Sequence, residues 1–233
     1  DEPASNHLVH LYRQVCQDNY GVAFAPTMKL PGSAAVCFGN AIFWKRSRWQ
    51  VEKAHGLQNS AVCAELTSRL GGYRLAVCSS KPAAVYAREW GDQVADEELA
   101  KAMLGVQQGL GQAASDGCRP IWCGDFGTEP QALLQVLKAQ VTEPEPPAWR
   151  NACAEVLGEE CWTSVSKHTA HRAVDYILHD EGLCALGALG GMQNQVSLAE
   201  FLKYGYPSDH LMQLAVLVDA ERASFDADAI AAG

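Results

Sequence analysis

The chain has 233 residues, 18 Lys and Arg against 27 Asp and Glu, and hence a formal charge of −9. That length supports one substantial core, with residues 1–219 as a single domain and 220–233 as a C-terminal tail. The charge argues against nucleic acid as the main ligand, because affinity for a polyanion rests on neutralised phosphates.

Nine cysteines without a CxxC pair indicate neither a disulfide framework nor a zinc ribbon, and they fit buried thiols in an intracellular reducing compartment. No run reaches the roughly 18 apolar residues of a transmembrane segment. The opening hexapeptide Asp1 to Asn6 has no signal-peptide character and no methionine. It is compatible with an organelle interior after removal of a targeting segment, or with residues upstream.

Leu8, Leu11, Tyr12 and Val15 recur on one helical face, which predicts a helix over 7–19 ended by Gly21. Residues 22–25 form a short strand and 29–33 a loop. Residues 37–45, rich in aromatic and β-compatible side chains, form a core strand. Two apolar runs, 61–69 and 73–79, are joined by Leu70-Gly71-Gly72 in the pattern of a hairpin. No period marks 82–95, which is a long loop or a short helix. Asp96 then starts a helix whose Leu99, Met103, Val106 and Leu110 form one apolar stripe.

A buried strand over 120–126 leads into Thr128-Glu129-Pro130-Gln131. The spacing of Thr128 and Gln131 is that of a capping box, so Asp125 is placed on the loop between a strand and a helix. Residues 143–147 form a stiff connection, 150–158 a short helix, and 161–166 and 173–178 two strands. A second capping box at Ser197 starts a short helix, and 211–218 is the last strand. Helices interspersed with hairpins predict an α/β (α+β) protein with mixed sheets covered by helices.

Three separated segments end in acidic or imidazole groups: Asp125 in Gly-Asp-Phe, Asp175 in Val-Asp-Tyr-Ile, and the pair Asp209-His210. Converging carboxylates and a histidine are what metal-assisted phosphoester cleavage requires: oxygen ligands for Mg²⁺, a carboxylate to orient water, and an imidazole at the phosphoryl group. Together with Gly39 to Lys45, Ala76-Val77 with Lys81, Cys123 to Pro130, Trp162-Thr163 and Tyr206 to Leu211, these segments resemble the endonuclease/exonuclease/phosphatase superfamily. The likeness is nearest to its deadenylase-like branch, the nocturnin and carbon-catabolite-repressor deadenylase group, and it runs from about residue 20 to residue 219.

The resemblance implies a two-sheet β-sandwich with outer helices. It also implies that Asp125 positions the attacking water, that Asp209, with Asp125, holds Mg²⁺ if the site is active, and that His210 contacts the phosphoryl group while Asp175 orients its ring. The sequence departs from the family pattern at three places. Gly127 stands where the motif has asparagine and Ser79 where it has histidine. The early core strand carrying the metal-binding glutamate has no counterpart, since Glu2 beside Pro3 in a polar hexapeptide is not such a residue. The fold is therefore expected to lack its first strands and to expose a sheet edge.

One lost preorganised donor costs about 2.7 to 4 kcal/mol of transition-state stabilisation. Several such losses favour a non-catalytic domain without a cofactor, serving as a structural or interaction subunit with protein partners in a larger assembly. The alternative is a divergent Mg²⁺-dependent phosphodiesterase or phosphatase acting on RNA 3′ ends or a small nucleotide phosphate; a third reading is a module that recognises phosphate without hydrolysis.

Other signals are weaker. The basic cluster Lys45, Arg46, Arg48 and Lys53 reads first as a solvated loop. His7 and His10 read as surface residues, and His168 and His171 point to different faces of a β segment. The Gly71-Gly72 and Gly190-Gly191 pairs are turn residues rather than phosphate cradles. Of the six tryptophans, Trp90 falls in a segment that is not core, and surface aromatics favour interfaces.

Overall fold

The computed structural model describes residues 19–29, 37–57, 61–89, 96–128, 134–135, 147–164, 172–189, 210 and 212–221. Three helices and ten strands lie within them. The strands are β1 (Tyr20–Lys29), β2 (Cys37–Lys45), β3 (Trp49–Leu57), β4 (Ala61–Ser68), β5 (Arg74–Ser80), β6 (Arg119–Asp125), β7 (Arg150–Asn151), β8 (Asp175–His179), β9 (Leu183–Leu189) and β10 (Leu214–Asp219). The helices are α1 (Ala83–Glu89), α2 (Asp96–Ser115) and α3 (Ala152–Leu157).

Six strands form the main sheet in the order β3-β4-β5-β6-β8-β7, and β1-β2 and β10-β9 are separate antiparallel pairs. β4 is the physical centre. Its Ala-Val-Cys-Ala-Glu-Leu pattern is buried on both faces, because the β1-β2 ribbon packs on one side and the main core on the other. Ala25, Ile42 and Trp44 from the ribbon meet Val62, Ala64 and Leu66. On the opposite face, α2 delivers Leu99, Met103, Val106 and Leu110, all buried as their helical spacing predicts, onto Trp122, Phe126 and Tyr176. The edge strand β3 is mostly exposed and carries Glu52 and Lys53, charges that discourage pairing with another chain.

β5 and β6 run parallel, joined by α1 and α2, and Ser80 pairs with Gly124 at the end of the ladder. A Cβ on Gly124 would fall on the Ser80 carbonyl oxygen, so only glycine allows the two strand ends to come this close. β6 and β8 are antiparallel, and there Asp125 is paired directly with Asp175. Asn151 caps α3 by accepting from the Cys153 N–H, and Gly158, at φ 77°, closes it by donating to the Ala154 carbonyl.

The sequence expectations hold for the 61–79 hairpin, the second strand and the long amphipathic helix. Residues 83–89 of the unassigned 82–95 stretch are helical. Four points are corrected. β1 extends over Tyr20–Lys29 rather than four residues, because Tyr20 to Lys29 pairs along most of β2. β3 and β9 were not anticipated: β3 is too polar for a core strand and β9 too rich in small residues for a clear period. Residues 161–163 are not a strand; only Ser164 makes isolated bridges, to Arg172 and His210. Asp125 is the last residue of β6, not a loop residue.

The helix expected over 7–19 falls, up to residue 18, outside the described residues. So do the loop residues 30–33, nearly all of the helix after Thr128, the helix started at Ser197 and the tail beyond residue 221. Among the described residues, no helix is long and apolar enough to cross a membrane.

Candidate active site

The ends of β5, β6 and β8 open into a cleft of about 370 Å³ lined by Ser79, Ser80, Lys81, Asp125 and Asp175, with Asn40 entering from β2. The sheet register alone sets up an electrostatic problem here. Asp125 and Asp175 face each other across the ladder, and like charges directly opposite destabilise a strand pair. Each carboxylate has a basic side chain against it. Lys81 Nζ lies 2.8 Å from Asp125 Oδ2, and His210 Nδ1 lies 2.8 Å from Asp175 Oδ2.

The backbone around these groups is pinned. The Thr163 hydroxyl, wholly buried, accepts from the N–H groups of Val174 and Asp175 at 3.1 and 3.0 Å. Phe126 N–H donates to the Val174 carbonyl at 2.7 Å, and the Arg172 guanidinium donates to the Gly127 carbonyl at 2.9 Å. Ser164 bridges both Arg172 and His210, which carries the imidazole to the start of β8. Gly127 N–H donates to Asp125 Oδ1 at 2.9 Å.

His210 is raised above its ordinary pKa. Burial on its own would lower it, but the hydrogen bond and charge of Asp175, together with the charge of Asp125, outweigh burial and the opposing Lys81. The 2.8 Å contact between Nδ1 and the Asp175 carboxylate thus favours the charged form of the ring. Cys123 lines the same cleft, but burial pushes its thiol up to about 12, which leaves it a poor nucleophile.

Three of the four expected site residues, Asp125, Asp175 and His210, are brought together, with donor atoms within 4.8 Å of one another. The fourth, Asp209, lies outside the described residues, as do His7, His10, His168, His171 and Trp90. The three convergent groups make an acidic set that could receive a metal ion. Mg²⁺ requires oxygen ligands in near-octahedral array. Here the Lys81 ammonium already stands against Asp125, and the His210 imidazole against Asp175. The described side chains, as arranged, do not fit Mg²⁺.

Ser79, expected in place of a histidine, does line the cleft, whereas its neighbour Ser80 is wholly buried and its hydroxyl accepts from the Trp122 indole at 2.8 Å. Gly127 has φ 64°, a conformation that asparagine also tolerates, although a Cβ there would approach a Val85 methyl at 3.1 Å. The basic residues Arg46 and Arg48 lie on the β2–β3 turn, and neither they, Lys45 nor Lys53 lines the cleft.

Lys81 and Asn40 were not anticipated as site residues. Asn40 is buried within a motif already read as a strand. Lys81 already belongs to the family-like segment Ala76-Val77 with Lys81, but its contact with Asp125 follows from the parallel β5-β6 pairing, in which Ser80 opposite Gly124 makes Lys81 and Asp125 the next positions.

No family model matches the sequence, and no curated protein matches it. Solved structures do match the fold. The human Nocturnin catalytic domain with bound sulfate superposes with a TM-score of 0.64 at 18% identity, covering 93% of this chain and 77% of that one. ANGEL2, a 2′,3′-cyclic phosphatase in complex with adenosine-2′,3′-vanadate, gives 0.65 at 13% identity over 91% and 77%. D. rerio TDP2 complexed with a single-strand DNA product gives 0.60 at 14% identity over 91% and 82%. The strands and helices described above thus share the fold of endonuclease/exonuclease/phosphatase proteins of known structure.

Proposed function

We propose that this phosphodiesterase-like fold serves as a non-catalytic interaction subunit of a larger assembly. The observation that carries this reading is the state of Asp125. One of its oxygens accepts the Gly127 N–H and the other meets the Lys81 ammonium. Both oxygens are thus engaged by the chain's own groups, which compete with any water the carboxylate would orient. Glycine at 127 and serine at 79 offer no side-chain amide or imidazole to replace what is lost. The interaction role is supported by the β9-β10 ribbon, where Leu186, Leu189, Leu214 and Val216 are all at least half exposed, with Met212 beside them at 76%. Apolar side chains grouped in this way favour contact with another protein.

The test is hydrolysis by the purified chain of oligo(A) and of nucleotide phosphates with Mg²⁺ or Mn²⁺, alongside native gel migration from its source. No turnover above that of His210→Ala, with migration in a large complex, is expected. Robust turnover abolished by His210→Ala would overturn the reading. One observation favours the second reading, a divergent metal-dependent phosphodiesterase or phosphatase: the Asp175–His210 pair retains a geometry suited to a phosphoryl group. Turnover lost in Asp125→Ala as well would establish it.

A further inference from the structure

We propose that Cys63 and Cys78 are a modification site, where exchange with a small-molecule disulfide such as glutathione disulfide makes a cross-strand bond while the β4-β5 hairpin is uncovered. The two residues are directly opposed in the antiparallel register of β4 and β5, and their Sγ atoms lie 2.6 Å apart in the core. Cβ atoms of opposed residues stand about 4.5 to 5.5 Å apart, and a disulfide spans about 3.5 to 4.5 Å. Closing the bond therefore asks for a small side-chain and strand adjustment and no change of register. No sequence motif marks the pair, since its members are 15 residues apart. The inference stands whether or not the cleft turns over substrate.

The route follows from burial. Cys78 is wholly buried and Cys63 is 8% exposed, both within the core that α2 closes with Leu99 and Met103. Burial first, and then the neighbouring Cys63, hold the Cys78 thiol well above its ordinary pKa. Exchange needs a thiolate and a clear approach to sulfur, and the finished core withholds both from Cys78. The hairpin is a local structure that forms without α2, so in open states of the fold both thiols are solvated. One thiolate then attacks the small disulfide, breaking its S–S bond and expelling one thiol. The other attacks the resulting mixed disulfide, expelling the second thiol and leaving the Cys63–Cys78 bond. The protein gives up two electrons, and the small disulfide is reduced to two thiols that carry off both protons. Closure of the core over the bond afterwards shields it from reduction.

The test is equilibration of the reduced full chain in a glutathione redox buffer at a series of urea concentrations below the unfolding midpoint. Remaining thiols are alkylated in denaturant, and the peptides are mapped by mass spectrometry. Wild type should lose alkylation at Cys63 and Cys78 and yield a linked peptide pair lighter by two hydrogens, which dithiothreitol separates. Formation should quicken with urea, because opening exposes the thiols. Closing a loop of this length should raise the ratio of folded to unfolded chain about 100-fold over that of the reduced protein in urea unfolding. Cys63→Ser and Cys78→Ser should lose that increment, whereas Cys184→Ser should keep it.

Full alkylation of Cys63 and Cys78 in the equilibrated wild type would overturn the proposal, and this arm needs no variant to fold. A linkage of Cys78 to Cys123 would overturn it equally, as would a rate of formation that urea leaves unchanged.

Discussion

Asp175→Asn keeps the shape of the side chain that orients His210 while removing its charge. The folded pKa of His210 lies above its ordinary value: burial alone would lower it, but Asp175 and then Asp125 raise it on balance. A raised folded pKa means that the charged pair stabilises the fold fully below the unfolded imidazole value of about 6.5. That stabilisation is then lost as pH rises through the folded pKa. A hydrogen bond to a charged group is worth about 1.5 to 3 kcal/mol. With side chains 22% and 21% exposed, the lower half of that range applies.

Below pH 6, Asp175→Asn should therefore be less stable than wild type by about 1.5 to 2 kcal/mol. The difference should shrink at alkaline pH, where the imidazole is neutral in both proteins. It can reverse sign there, because the substitution also relieves the repulsion between Asp175 and Asp125 across the ladder. Urea unfolding at a series of pH values measures the difference, and the His210 ring resonance measures the titration directly. Wild-type His210 should titrate at the higher pH of the two. A stability difference independent of pH, or a His210 titration unmoved by the substitution, would refute the argument that the charge of Asp175 is what holds the imidazolium.

Ser80→Ala leaves the buried Trp122 indole N–H without its acceptor. The expected cost is about 1 to 3 kcal/mol in urea unfolding, with a shift in tryptophan emission. Met103→Ala empties a fully buried position on α2 and should cost about 2 to 5 kcal/mol, read from the same midpoint. Gly124→Ala places a methyl group on the Ser80 carbonyl oxygen, so the soluble yield and the cooperative transition should both be lost, whereas Gly109→Ala, with open space around its Cβ, should be tolerated.

How legible the structure was depended on the kind of contact involved. The stripe of α2 and the 61–79 hairpin follow from local periodicity and turn chemistry, and both appear where expected. Asp125, Asp175 and His210 were recognisable because each sits in a short motif, and the structure brings their side chains together. Lys81 was quoted within a motif too, but its contact with Asp125 was not foreseen, because that depends on the parallel register of β5 and β6, a partnership across α1 and α2 that no local pattern encodes. β3 escaped because exposed edge strands are selected for charge, which masks a strand period. β9 escaped because Leu-Cys-Ala-Leu-Gly-Ala-Leu owes its conformation to pairing with β10 and to the packing of α3.

The order in which the cleft is assembled follows from the span of its contacts. The Trp122–Ser80 bond that seats β6 on β5 joins residues 42 apart in sequence, and the Asp175–His210 bond joins residues 35 apart. Loop closure must be paid before such contacts reward it, so they form slowly compared with the β4-β5 turn or α2. Each carboxylate therefore reaches its basic partner only once non-local strands have docked. Until then Asp125 and Asp175 are solvated and separate, and the repulsion that Lys81 and His210 answer arises only on closing the ladder. Substitutions that neutralise either carboxylate should accordingly leave the folding rate little changed, or raise it, and act mainly on the rate of unfolding.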